Sequence, residues 1–144
     1  MVSQNQIDTF NRFYQVSRET ILSLNKYEEM LLSWSKKLNL IGNSTNKHIW
    51  TRHFLDSAQV IDFIDKNTKE IVDIGTGAGF PGLIISIIAK DKKIPLKTKL
   101  IEKSPKKIIF LKEVINELKL GVEVLNENVL LKSDEFVEET FVTR

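Results

Sequence analysis

The chain has 144 residues, of which 42% are apolar and 28% charged, and its formal net charge at pH 7 is +2. This composition is typical of a soluble globular domain that can bury a core of its own. The chain has no cysteine, which excludes disulfides, thiolate metal sites and a cysteine nucleophile. Residues 1–20 are polar and no apolar run approaches about 18 residues, so neither a signal peptide nor a membrane span is predicted. We therefore expect a cytoplasmic protein, and no metal site, because His48 and His53 lie apart from other suitable ligands.

Apolar spacing predicts helices in the first part of the chain. Residues 4–16 favour a short helix, and Ser17 is a suitable N-cap for a longer one. In the longer helix, apolar residues recur three or four positions apart and share one face: Ile21, Leu24, Tyr27, Leu31, Trp34 and Leu38. We interpret this stripe as core packing. After a loop at Gly42, a further helical stretch is predicted from about Asn46.

The segment Arg52–Ser57 brings an arginine, an imidazole and a carboxylate within about one helical turn. Such a trio can contact a phosphate or another ligand. It can equally be a capping cluster in which Asp56 or Ser57 begins a new helix, and the residues taken alone favour the cap.

The stretch Glu70–Leu83, with the sequence EIVDIGTGAGFPGL, is the one around which the rest is organised. A short apolar run that carries Asp73 meets three glycines at alternate positions: Gly75, Gly77 and Gly79. Glycine has no Cβ, so the backbone can turn sharply and approach a bound molecule closely. Pro81 then suits the first turn of an apolar helix. The pattern predicts a buried strand, a ligand-binding turn and a helix.

Strands alternate with helices through the second half of the chain. Further strands are predicted at 98–102, at 122–125 and from Phe141, and a helix is predicted between Ser104 and Gly121. This order indicates βαβ units, and therefore an α/β fold with a parallel sheet and right-handed crossovers. Ligands of such sheets bind beyond the carboxyl ends of the strands.

The residues at those strand ends predict a cofactor that carries a nucleoside. Glu102 ends the second strand, where a carboxylate can accept hydrogen bonds from ribose hydroxyls. A dinucleotide fingerprint is G-x-G-x-x-G, but Phe80 stands where its third glycine would be. A carboxylate at Asp73 also suits a cationic sulfonium or an α-amino group better than a pyrophosphate. S-adenosylmethionine is therefore favoured over NAD, although a short glycine motif alone is a weak signal.

Charge is segregated along the chain. Residues 90–112 hold nine lysines against two carboxylates, whereas residues 113–144 hold eight carboxylates against three cations. A basic block beside a ligand turn fits a polyanionic partner, and on charge alone a solvated lysine-rich face is the simpler interpretation.

Four motifs in a fixed order identify a family resemblance. They are V-D-I-G-T-G-A-G-F-P-G at 72–82, L-N-L at 38–40, R-H-F-L-D-S at 52–57, and L-I-E-K-S-P-K-K at 100–107 with F-L at 110–111. From about Ser17 onward the chain resembles the RsmG (GidB) methyltransferases, which methylate N7 of a guanine in 16S rRNA of the small ribosomal subunit. The resemblance implies a Rossmann-like class I S-adenosylmethionine-dependent methyltransferase fold with an N-terminal helical extension.

The resemblance also implies site residues. The family's cofactor contacts correspond in this chain to Gly75, Phe80, the pair Val129 and Leu130, and Arg144. The arguments above add Asp73, Gly77, Gly79 and Glu102 to the pocket. An acidic residue is usual in the family where Leu130 stands. The expected RNA contacts are Arg52 and His53, together with Lys103, Lys106 and Lys107 from a lysine block at 90–107 that would meet RNA phosphates. Methyl transfer to guanine N7 needs no general base, so no acid, base or nucleophile is expected.

The expected organisation is an N-terminal helical region at 1–69 and a partial S-adenosylmethionine-binding Rossmann-like domain at 70–144. In the family, the arginine that matches Arg144 is followed by further strands and helices, so we expect an incomplete sheet. We expect a monomer that binds no membrane. One alternative is a catalytically inactive fragment with weak cofactor or RNA binding, and another is an NAD-binding oxidoreductase.

Overall fold

Four parallel strands form one sheet in the part of the chain that the computed structural model describes, residues 4–126 and 140–142. They are β1 (Glu70–Ile74), β2 (Lys97–Ile101), β3 (Val122–Leu125) and β4 (Thr140–Val142). Their spatial order is β3-β2-β1-β4. Asp73 of β1 lies opposite Leu100 of β2 on one side and Val142 of β4 on the other. The strand order reverses beside β1, and such a switch point is where open parallel sheets bind ligands. The predicted α/β class is confirmed.

The helices of the described ranges are α1 (Gln4–Tyr14), α2 (Arg18–Ser35), α3 (Asp56–Ala58), α4 (Gly82–Asp91) and α5 (Pro105–Glu117). Ser17 caps α2, as predicted, because its side chain accepts a hydrogen bond from the backbone N–H of Thr20. Ser104 caps α5 in the same way, with a proline in the first turn. Among these helices none has the length and apolar character to cross a membrane.

The segment 43–63 is a continuous helical path of changing pitch. It consists of a 3₁₀ turn (Asn43–His48), a π-helical stretch (Trp50–Leu55), α3 and a second 3₁₀ turn (Gln59–Phe63). Leu55 already has helical backbone angles, and no side-chain cap hydrogen bond forms at the start of α3. An N-cap requires an extended backbone. The capping interpretation of Asp56 and Ser57 is therefore wrong.

A single apolar cluster joins the N-terminal helices to the sheet and its helices. Among its members are Phe10, Tyr27, Leu31, Trp50, Phe54, Ile84, Phe110 and Leu111. The stripe predicted on α2 is fully buried at Leu24, Tyr27 and Leu31. The two predicted regions, 1–69 and 70–144, thus share one core.

Candidate functional site

A turn at the carboxyl end of β1, here called the glycine turn (residues 75–79), has three residues in the left-handed region. Gly75, Gly77 and Gly79 have φ values of 68°, 58° and 98°. Any residue with a side chain would be strained there. The N–H groups of Gly75 and Thr76 donate to the carbonyl of Ile101 in β2 at 2.9 and 3.1 Å. The sequence alone predicted this turn, and the backbone bonds fix it against the neighbouring strand.

The glycine turn has an open face and a packed face. A Cβ placed on Gly75 would have no described atom within 4 Å, and one on Gly77 would meet only the Gly75 carbonyl oxygen at 4.0 Å. A Cβ on Gly79 would lie 2.5 Å from both the Tyr27 hydroxyl and Leu83 Cδ1. A ligand can therefore approach the backbone at positions 75 and 77, whereas position 79 rests on the core.

The carboxylate of Asp73 lies beneath the glycine turn with no exposed surface. Its Oδ2 accepts hydrogen bonds from the Thr76 hydroxyl at 2.6 Å and from the Gly82 N–H at 2.8 Å. Burial raises the pKa of Asp73 to about 7, although these two hydrogen bonds favour the ionised form. Asp73 thus links the glycine turn, at Thr76, to the start of α4, at Gly82. The expected direct contact with a cationic cofactor does not fit a side chain that is enclosed in this way.

Glu102 follows β2 and reaches the glycine turn from the side. Its Oε2 accepts a hydrogen bond from the Gly77 N–H at 2.8 Å, and its Oε1 accepts from the N–H groups of Lys103 and Ser104 at 3.1 Å each. An ionised carboxylate has about four acceptor sites, so three bonds leave capacity for one more donor. Glu102 therefore both holds the turn and presents an acceptor beside its open face.

An aromatic cluster supports the packed face of the turn. The Tyr27 hydroxyl donates to the Ala78 carbonyl at 2.5 Å. The Phe80 ring, only 7% exposed, packs at 5.7 Å from the Tyr27 ring and stacks on His53 at 5.1 Å with an interplanar angle of 13°. Sequence reasoning assigned Tyr27 to core packing alone and missed its hydroxyl. Helical spacing predicts which face of α2 is buried. It does not show that the Tyr27 hydroxyl bonds the carbonyl of Ala78, 51 residues further along the chain.

The family of the chain follows from comparison with known proteins. Residues 20–144 match the family model GidB, described as rRNA small subunit methyltransferase G. The chain belongs to the GidB family. It is 45% identical over 116 residues to ribosomal RNA small subunit methyltransferase G of Pelagibacter ubique (strain HTCC1062), covering 79% of this chain and 54% of that protein. The enzyme of the same name from Jannaschia sp. (strain CCS1) is 39% identical over 115 residues, covering 80% and 54%.

The GidB chain spans about half the length of the curated relatives it matches. Among solved structures, it is similar to the branched-chain polyamine synthase from Thermus thermophilus, with a TM-score of 0.47 and 16% identity over 72% of this chain and 29% of that one.

The lysines of this GidB chain separate to opposite ends of β2. Lys97 begins the strand, whereas Lys103, Lys106 and Lys107 follow it, next to Glu102 and the start of α5. Of the preceding lysines, Lys90 donates to the carbonyls of Leu118 and Lys119 at 3.2 and 3.0 Å, and Lys92 donates to that of Gln15 at 2.9 Å. Lys90 and Lys92 therefore bond the ends of neighbouring helices, and the expectation that the block from 90 to 107 meets RNA phosphates stays a prediction.

The motif R-H-F-L-D-S of the GidB chain occupies the π-helical stretch and the start of α3. Arg52 is exposed. His53 is only 9% exposed, its Nε2 lies 2.9 Å from the Thr45 hydroxyl, and its ring covers Phe80. The motif is thereby joined to the glycine turn. The remaining expected contacts, Val129, Leu130 and Arg144, lie outside the described residues.

Proposed function

We propose that this GidB chain binds S-adenosylmethionine at the glycine turn and belongs to an enzyme that transfers the methyl group to N7 of a guanine in 16S rRNA. We further propose that it acts on the small ribosomal subunit in the cytoplasm, as a monomer and without a metal. The observation that carries the proposal is the open face at Gly75 and Gly77, beside the carboxylate of Glu102, at the switch point of a parallel sheet.

The residues in and around the glycine turn have different roles in binding the cofactor. Gly75 and Gly77 admit it to the backbone, and the free acceptor capacity of Glu102 suits a ribose hydroxyl. Phe80 contributes through its backbone, because its ring is enclosed. Asp73 and Gly79 shape the turn from below. Val129, Leu130 and Arg144 complete the set that family membership suggests.

Methyl transfer requires the chain to orient the two reactants and does not require it to transfer a proton. S-adenosylmethionine, when bound, supplies a methyl group that its cationic sulfur has already activated. Guanine N7 has an unprotonated lone pair at neutral pH, so no residue need act as a base. A protein can lower such a barrier by positioning and by electrostatic complementarity, each of which contributes several kcal/mol. The rigidly held turn supports this role.

The basic residues after β2 fit the phosphates of an RNA substrate. Lys106 and Lys107 lie in the first turn of α5, where the helix dipole disfavours cations. An anionic partner would remove this unfavourable interaction. Lys103 and the exposed Arg52 extend the proposed RNA surface, and His53 supports Arg52 by holding its segment against Phe80.

Calorimetry on the whole chain tests the cofactor assignment. We expect S-adenosylmethionine and S-adenosylhomocysteine to bind with one-to-one stoichiometry and NAD not to bind. Binding of NAD alone would favour the oxidoreductase alternative. A folded chain that binds none of the three would contradict the proposed cofactor site.

A methylation assay on small ribosomal subunits that lack the modification tests the reaction separately. We expect incorporation of one methyl group at guanine N7. Because the chain spans about half the length of its relatives, cofactor binding without transfer is an informative outcome. It would favour the inactive-fragment alternative and contradict activity of this chain.

The proposed RNA surface predicts an effect that depends on where lysines are removed. The triple variant Lys103→Ala, Lys106→Ala, Lys107→Ala is expected to bind 16S rRNA more weakly. Each lost phosphate contact should reduce the slope of log affinity against log salt concentration by about 0.7–0.9. The matched control Lys69→Ala, Lys93→Ala, Lys97→Ala removes the same charge near the amino-terminal ends of β1 and β2. If both triple variants lost the same RNA affinity, the loss would be explained by net charge alone, and the proposed RNA surface would be contradicted.

A further inference from the structure

The hydroxyl of Tyr27 is a polar group at the centre of the aromatic cluster. Tyr27 is fully buried in α2, and its hydroxyl donates to the carbonyl of Ala78, between Gly77 and Gly79. Burial raises the pKa of Tyr27 well above its ordinary value, and the charge of Asp73 adds to the effect, so the hydroxyl stays protonated and remains a donor.

The ring of Tyr27 has little freedom to move. It stacks on Phe54 at 5.3 Å with an interplanar angle of 24°, and lies 5.7 Å from the Phe80 ring and 6.5 Å from the Phe110 ring. A side chain locked by packing holds its polar atom at a fixed point, which is what a preorganised binding site requires.

Side chains from two other parts of the chain hold the turn around Ala78. Glu102, which follows β2, accepts a hydrogen bond from the Gly77 N–H. Tyr27, in α2, donates a hydrogen bond to the Ala78 carbonyl. The missing Cβ of Gly79 would lie 2.5 Å from the same hydroxyl, so the backbone rests directly on it. Loss of the hydroxyl would leave a buried carbonyl without this partner and the turn held mainly by the sheet.

We propose that Tyr27 is a positioning residue for the cofactor: its hydroxyl fixes the Ala78 peptide and thereby the backbone of Gly75 and Gly77 that faces the ligand. This inference rests on the proposed function. It assigns a part in cofactor binding to the N-terminal helical region, outside the strand–turn–helix unit. A residue that only fills the core would act through its ring, and the hydroxyl would then not affect the ligand.

The substitution Tyr27→Phe separates these roles because it keeps the ring and removes the hydroxyl. We expect the Kd for S-adenosylhomocysteine to rise about five- to tenfold, as for the loss of one buried hydrogen bond. The matched control is Tyr14→Phe, which removes the hydroxyl that donates to Asp62 at 3.2 Å between α1 and the second 3₁₀ turn. Its Kd should stay within twofold of wild type.

The outcomes distinguish the two proposals. If wild type binds S-adenosylhomocysteine and Tyr27→Phe binds it equally well, even with a lower Tm, the hydroxyl has no positioning role. If wild type fails to bind it while folded, the proposed function itself is contradicted.

A spectroscopic measurement keeps the test decisive should Tyr27→Phe fold poorly. The chain has only two tyrosines, so Tyr27 is the sole tyrosine of the Tyr14→Phe variant. Labelled with 3-fluorotyrosine, that variant gives one ¹⁹F signal. We expect the signal to shift on saturation with S-adenosylhomocysteine, because the hydroxyl bonds the peptide that supports the ligand. A signal that does not move would overturn the proposal.

Discussion

At the scale of single residues, Asp73 gives the protein a characteristic pH dependence. Burial raises its pKa from 3.8 to about 7 in the folded state, so between about pH 4 and 7 the folded chain holds a proton that the unfolded chain has released. The stability that this proton provides is complete below pH 4 and is lost as the pH rises through 7. We expect the free energy of unfolding to fall with rising pH in this window, by up to about 1.4 kcal/mol per pH unit.

The variant Asp73→Asn isolates this contribution, since its side-chain oxygen can still accept from Thr76 and Gly82 but cannot ionise. Urea denaturation at several pH values should show that the variant lacks the fall between pH 4 and 7. Parallel curves for variant and wild type would mean that Asp73 does not titrate in this range.

Residues differ in how far the sequence revealed their roles. The turn at the three glycines and the position of Glu102 at the end of β2 could be predicted, because neighbouring residues along the chain define a turn and a strand end. Tyr27 could not, since its hydroxyl partner is set by packing between α2 and the turn. The enclosure of the Asp73 carboxylate could not be predicted either. It depends on the start of α4, where the Gly82 N–H donates a hydrogen bond to Asp73.

At the scale of elements, the end of α4 ties three other helices together. Asp91 accepts hydrogen bonds from the Ser17 N–H at 2.9 Å and the Thr20 hydroxyl at 2.7 Å, at the start of α2. Lys90 and Lys92 bond carbonyls that follow α5 and α1. Although burial acts to raise the pKa of Asp91, the bonds from Ser17 and Thr20 outweigh it and lower the pKa. The ionised carboxylate is therefore stabilised by folding.

Removing this junction should destabilise the chain in a pH-dependent way. Asp91→Ala is expected to lower the free energy of unfolding by about 1–3 kcal/mol at pH 7. The difference from wild type should shrink as the pH falls through the lowered pKa of Asp91, because that stability exists only above it. Asp65→Ala is the control, since the Asp65 carboxylate accepts a hydrogen bond from the nearby Asn67 N–H in an exposed loop; its effect should stay within about 0.5 kcal/mol. Similar losses for both variants would contradict the role of the junction.

The elements themselves were largely predictable, and their arrangement was not. The strands after residue 70, the cap at Ser17, the helix that begins after Ser104 and the stripe on α2 follow from local patterns and are confirmed. The position of β4 beside β1 depends on a crossover that no local pattern records. Local patterns also do not show how far apart β2 places Lys97, at its start, and Lys103, beyond its end, although the two lysines are close in sequence.

At the scale of the whole molecule, the shared core predicts that the N-terminal helices and the sheet unfold together. Both tryptophans report on the N-terminal helices: Trp34 donates to Glu113 of α5 at 2.9 Å, and Trp50 donates to Glu28 of α2 at 3.2 Å. Amide exchange in β1 and β2 reports on the sheet. Because one cluster contains residues of both parts, we expect the two probes to follow a single transition in denaturant.

A substitution in α2 tests this coupling. Leu31 is fully buried in the shared core, so Leu31→Ala should lower the free energy of unfolding by about 2–5 kcal/mol and shift the tryptophan and sheet transitions equally. Leu22, on the same helix, is 58% exposed, and Leu22→Ala should change both by less than about 0.5 kcal/mol. A sheet that kept its exchange protection while the tryptophan signal of Leu31→Ala was lost would show two independent units. In that case the sheet could stay folded after α2 had unfolded, and the hydrogen bond from Tyr27 to the glycine turn would be lost without unfolding of the sheet.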